Sequence, residues 1–162
     1  MKRVSRKEVR SSPLYEYYCS YLRRARIEIN TQRAYASVAS SWMFTLSQLE
    51  GVATDPARDS LALVNARNRD LSALRADRKN SIAAITLSLS YKETCDAMRA
   101  YLEGRSIPVQ ASRLVGLGRF HEWLSERKLI PVNHLARIRP LMELRDGTTL
   151  PSLQRARRLQ NC

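Results

Sequence analysis

Histidine, cysteine and arginine are the residues of this 162-residue chain whose chemistry could define a function, and their spacing ranks them. The two histidines, His121 and His134, lie far from every cysteine, so the four ligands of a structural zinc site cannot converge. No metal or cofactor is expected. Cys19, Cys95 and Cys162 are odd in number, widely separated and without CxxC spacing, which fits a reducing, cytoplasmic setting better than a disulfide framework. His121 falls on an apolar stripe with no carboxylate and nucleophile beside it, the pattern of packing rather than of acid–base catalysis. Cys19 and Cys95 read as small buried hydrophobes.

Arginine stands apart from these. The chain carries 23 Arg and 5 Lys against 15 Asp+Glu, a formal net charge of +13. Guanidinium forks match phosphate oxygens better than ammonium groups do, so this surplus points to a polyanion, nucleic acid foremost. A membrane partner is not expected, because the most apolar stretch, residues 82–89, is interrupted by Thr86 and Ser88 and falls well short of the roughly 18 apolar residues that span a bilayer.

The elements that must position these arginines are helices. At 44% apolar residues the chain can bury one main core, and its five Gly and six Pro fall mostly at segment edges, which gives an all-α class. Residues 1–12, with Lys2, Arg3, Arg6, Lys7 and Arg10, lack the apolar centre of a secretory signal and read as a flexible basic arm. A first helix begins at Pro13 behind Ser12 and carries Leu14, Tyr18, Tyr21, Leu22 and Ala25 on one face. A second runs from Asn30 or Thr31 toward Leu49, with Tyr35, Val38, Ala39, Trp42, Leu46 and Leu49 as its stripe and Gly51 after it.

Between them and the C-terminal helices, Leu61, Val64, Leu71 and Leu74 form only a narrow seam, so residues 61–79 read as an edge helix or a segment that orders on binding. Ile85, Leu87 and Leu89 suit a strand or a helix, and helix is favoured. Ser90 and Glu93 have capping-box spacing, with Tyr91, Cys95, Met98 and Leu102 following on one face to Gly104. Ser106 and Pro108 open a last long helix whose inner side is Leu114, Leu117, Phe120, His121 and Leu124. It ends near Lys128, and a short helical turn follows around residues 134–138. Tyr35, Trp42, Phe120 and Trp123 share helical spacing with Leu and Val and read as core rather than as base-stacking platforms.

Two blocks give the chain a family likeness. Thr31-Gln32-Arg33-Ala34-Tyr35, leading to Trp42 and Leu46, is similar to the start of the second helix of the core-binding (SAM-like) domain of tyrosine recombinases and phage integrases. Residues 114–124, LVGLGRFHEWL, resemble that domain's "LSALRxFxxFL" helix. Leu129 to Ala136 stand where the family has "xIxxNPA", and Leu150-Pro151-Ser152-Leu153 resembles its "LPxxLS" junction. Gly118 occupies a position where the family has Arg, and His134 one where it has Pro; Gly116 and Gly118 within one helix suggest close backbone approach or a tolerated loss of helix stability.

The resemblance implies a compact orthogonal bundle of four to five helices over residues 13–140, with a poorly matched insertion at 51–89, and a basic tail at 141–162 that would begin a missing catalytic domain. It implies double-stranded DNA as partner, in integration or recombination, with a recombinase catalytic domain or recombinase protomers as possible companions. DNA contacts are carried to Arg33, Ser37, Arg105, Ser106, Gln110, Arg113 and Arg119, near the starts and along the faces of the two helices the family lays across the duplex. Each has a plainer reading as a solvated helical surface, and Arg119 has local partners at helical spacing in Glu122 and Glu126. No catalysis is expected: His134 to Arg137 satisfies an HxxR pattern, but the last tyrosine, Tyr101, lies upstream of it, so the family's downstream nucleophile is lacking. Two other classes stay open, a basic helical protein that binds RNA or the ribosome and a module that docks on a recombinase.

Overall fold

Capping decides where the helices begin. At Ser90 the expected box forms: the Glu93 amide donates to Ser90 Oγ at 3.1 Å and the Ser90 amide to Glu93 Oε1 at 2.9 Å. A second box, Ser5 with Glu8, starts a helix in the stretch expected to be a flexible arm. The computed structural model describes residues 4–53 and 55–138. The junction motif at 150–153, the tail arginines 155, 157 and 158, and Cys162 lie outside them.

Among the described residues the architecture is all-α. In chain order come α1 (Arg6–Arg10), α2 (Pro13–Arg24), α3 (Ile29–Glu50), α4 (Pro56–Arg67), α5 (Leu71–Ala76), a 3-10 turn (Arg78–Asn80), α6 (Ile82–Thr86), α7 (Tyr91–Leu102) and α8 (Ile107–Glu126). The helices of twelve or more residues are the five labelled α2, α3, α4, α7 and α8, and a short helical turn covers 134–138.

α3 is the hub, in contact with α1, α2, α6, α7 and α8. It begins slightly earlier than expected because the Glu28 carboxylate, rather than Asn30, accepts the Thr31 amide at 3.1 Å, and it stops at Gly51 in the left-handed region, φ 64°. Its inner face is Val38, Ala39, Trp42, Met43 and Leu46, while Leu49 is exposed. α8 crosses it at Gly116, where a Cβ would lie 2.7 Å from Val38 Cβ; only glycine lets the two backbones come this close. Tyr18 of α2 meets Phe120 and Trp123 of α8 with ring centroids 4.8 and 5.0 Å apart, and Trp42 meets Tyr101 and His121 edge to face.

The segment 51–89 departs most from its sequence reading. Every residue of α6 is buried, and Leu87 and Ser88 after it are buried too, so this stretch occupies the interior. A helix apolar on all sides must be buried, and its polar groups then need internal partners. Ser81 Oγ accepts the Ala84 amide, Asp59 Oδ1 accepts the Ala83 amide at 3.1 Å, and the Thr86 and Ser88 hydroxyls donate back to Ile82 and Ala84 carbonyls. On α4 the inward face is Asp59, Ala62, Leu63 and Ala66; Leu61 and Val64, expected in the seam, are about half exposed. The seam lies on the other side of the helix because a fully buried carboxylate shares the inward face with small residues, and hydrophobicity alone points the helix the wrong way.

The N-terminal segment is likewise built in. Val4 and Val9 are buried and α1 packs on α3, which corrects the flexible-arm reading for residues 4–12. In α7 the inner face is Thr94, Ala97, Met98, Tyr101 and Leu102. Thr94 can be buried because its hydroxyl donates to the Ser90 carbonyl at 2.7 Å, and the face turns away from Tyr91 and Cys95.

Two titratable groups, His121 and Glu93, make the largest contributions to the loss of stability in acid, beside smaller ones from His134 and Glu28. Burial pushes the His121 imidazole down to about 4 from 6.5, and its Nδ1 lies 2.9 Å from the Leu117 carbonyl. The Arg78 fork first, and then the Ser90 amide, hold Glu93 down at about 2 against an ordinary 4.5. Both values are lowered by folding, so both contributions are full at neutral pH and are lost on acidification. Chemical denaturation from pH 7.5 to 3 should show stability falling between 6.5 and 4, on the order of 2–3 kcal/mol from His121, and falling further below 4.5. His121→Gln should remove most of the upper step, leaving the part due to His134, and should keep the lower one.

Packing supplies two further tests. Gly116→Ala should destabilise the fold by about 1–3 kcal/mol despite alanine's better helix propensity. Adding Val38→Ala should give a total smaller than the summed single costs by about 0.5 kcal/mol or more in a double-mutant cycle. Asp59→Ala should cost about 2–4 kcal/mol, because Ser12, Ser81 and the Ala83 amide lose their buried acceptor.

Candidate nucleic-acid interface

The outward face of α3 follows from its inward one. Because Val38, Ala39, Trp42 and Leu46 turn to the core, Arg33, Ser37 and Phe44 fall on the opposite side at spacings of four and seven residues. Arg33 and Ser37 are exposed there. Toward the other end of α3, the Arg6 guanidinium of α1 lies over the Phe44 ring, 5.1 Å from its centre. Ser41, between them, is hydrogen-bonded to Tyr101 Oη of α7, and the tyrosine hydroxyl also donates to the Val38 carbonyl at 3.3 Å.

Tyr101 in turn seats Arg113. The guanidinium lies 4.2 Å from the ring centre and its Nη1 donates to the Tyr101 carbonyl at 2.6 Å, so one edge is pinned to the fold. Burial first, and then the charges of Arg105 and Arg6, lower the proton affinity of Arg113, while Tyr101 acts the other way. Arg105 and Ser106 are exposed in the turn before α8, and Ser106 leaves the first-turn amides without a side-chain cap. Gln110 has a structural role, since its Nε2 donates to the Leu102 and Arg105 carbonyls at 3.2 and 3.0 Å and holds that turn closed.

Arg119 is placed elsewhere. Six residues beyond Arg113 it faces α2, where Nη2 donates to Tyr21 Oη at 2.9 Å, and it forms no ion pair with Glu122 or Glu126 among the described residues. The structure therefore groups Arg105, Ser106, Gln110 and Arg113 at the α7–α8 turn, sets Arg33 and Ser37 on α3, and leaves Arg119 on the α2 side. Sequence reasoning leaves Arg6 in a flexible arm and so misses its place beside Arg113. The Ser5-x-x-Glu8 spacing is the signal that could have found it.

The two histidines line a separate cavity. It measures about 300 Å³ and is lined by Thr86, Leu87, Tyr91, Thr94, His121 and His134 among others, with no carboxylate or thiol in the lining. His134 and Arg137 of the HxxR match both lie against Tyr91, at 5.9 and 5.5 Å from the ring centre. Among the described residues no group of three or more His, Cys, Asp or Glu could hold a metal ion, and no helix is long and apolar enough to cross a membrane. No family model, curated protein or solved structure matches this chain.

Proposed function

We propose that the chain binds double-stranded DNA mainly through its phosphates, as a core-binding domain of the tyrosine-recombinase type, with strand cleavage carried by other protein. The observation that supports this is the outer face of α3 with the α7–α8 turn beside it. Exposed or half-exposed arginines from α1, α3, the turn and α8 belong to it, and none of them is in an ion pair among the described residues. From Arg33 to Phe44 the helix rises about 16 Å at 1.5 Å per residue, or about five 3.4 Å base-pair rises. Of the positions named from the family likeness, Arg33, Ser37, Arg105, Ser106 and Arg113 are the ones this reading assigns to the duplex, while Gln110 and Arg119 serve the fold.

The RNA reading rests in part on segment 61–79 ordering on contact. That segment is already folded in the free chain as α4, α5 and the 3-10 turn, so it supplies no argument for RNA over DNA.

A gel-shift titration in salt measures the proposal. With about five phosphates neutralised, log affinity should fall against log salt with a slope near −4.5, and non-specific binding should be micromolar or weaker at physiological salt. Replacing Arg33 and Arg113 together by Ala should flatten the slope by about two units. Duplex RNA competing as well as duplex DNA would favour the RNA class, and no duplex binding at low salt would remove the proposal.

A further inference from the structure

We propose that Arg6, Arg105 and Arg113 form a binding site for one phosphoryl group, floored by the aromatic rings of Phe44 and Tyr101. The source of that group, a backbone phosphodiester, rests on the nucleic-acid reading above; the site itself does not.

Three observations carry it. First, two of the three guanidiniums are seated on rings rather than on carboxylates: Arg6 over Phe44 at 5.1 Å and Arg113 over Tyr101 at 4.2 Å. A guanidinium stacked face-down on a ring turns its N–H edges outward, the geometry that a tetrahedral oxyanion accepts. Second, the rings are held together. Tyr101 Oη bonds Ser41 one turn before Phe44 on α3, which brings the α1 and α8 arginines to neighbouring positions, and the Arg105 and Arg6 charges both act on Arg113. Third, no ion pair offsets these three charges. The ion pairs among the described residues are Arg58–Asp77, Arg78–Glu93 and Arg99–Asp96, and none includes these three. Like charges gathered without a counter-charge repel one another, and a bound anion removes that repulsion.

The pinned edge of Arg113 adds selectivity. With Nη1 committed to the Tyr101 carbonyl, the remaining donors are held in one orientation before any ligand arrives, which lowers the ordering cost of binding. A lysine there would keep the charge and lose the fork.

The test uses the full chain with inorganic phosphate, at ionic strength held constant with chloride, and reads thermal midpoint beside affinity for a short duplex. Wild type should gain about 3 °C at ten times the phosphate dissociation constant. Arg6→Gln with Arg105→Gln, both at exposed positions, should abolish that gain and weaken duplex binding about tenfold or more at 0.1 M salt, with unchanged far-ultraviolet circular dichroism. Arg113→Lys should lose most of the gain while keeping the charge. An equal phosphate gain in wild type and variants, or no gain in any, would overturn the site; a gain confined to wild type with duplex affinity unchanged in the variants would uphold the site and overturn the backbone phosphodiester as its source. A phosphate gain that needs the three arginines, in a chain that binds no duplex, would uphold the site and sink the DNA reading instead.

Discussion

The Asp59 carboxylate is the constraint around which the N-terminal and middle parts of the chain are arranged. It is fully buried, accepts from the Ser12 hydroxyl at 2.7 Å, from the Ser81 hydroxyl and from the Ala83 amide, and so ties the start of α2 and the start of α6 to α4. A carboxylate without a cation in the interior is tolerable only when several donors converge on it. Here those donors are a residue preceding one helix and the first turn of another, so satisfying the charge and placing the helices are the same event. Without it the all-buried α6 would carry an orphaned Ala83 amide and an unpaired Ser81 hydroxyl in the interior.

A comparable economy runs through the arginines, which divide by what they rest on. Arg78 is held by both oxygens of Glu93 and by Ser88, closing the 3-10 turn onto α7. Arg119 bonds Tyr21 and helps dock α8 on α2. Arg113 and Arg6 use aromatic faces instead, which fixes their direction while leaving charge uncompensated. Net charge alone cannot separate these roles, since each guanidinium counts the same in the sum.

What could be read in advance follows the same division. The α2, α3 and α8 stripes, the Ser90–Glu93 box, the helical turn at 134–138 and the close approach at Gly116 were legible, because apolar spacing, capping pairs and an unusual glycine each leave a local mark. The middle of the chain was not. Its core face includes Asp59, Ser81 and small alanines, and the burial of Asp59 and Ser81 depends on partners tens of residues away, as with Ser12 and Asp59. At the candidate site, Arg33, Arg105 and Ser106 stand exposed at or near helix starts, and Ser37 is exposed one turn beyond Arg33. That Gln110 would close a turn, Arg119 turn to Tyr21 and Arg6 join Arg113 depends on side-chain contacts between elements that local pattern does not encode.

The Gly116–Val38 contact reaches beyond stability. With only the Val38 side chain between the two backbones and none from Gly116, α3 and α8 have little room to slide or rock, so their crossing works as a fixed caliper. Arg33 rides on one jaw and Arg113 on the other. Whatever lies against them meets a preset gauge, and discriminates by its own width and curvature rather than by coaxing the protein to adapt.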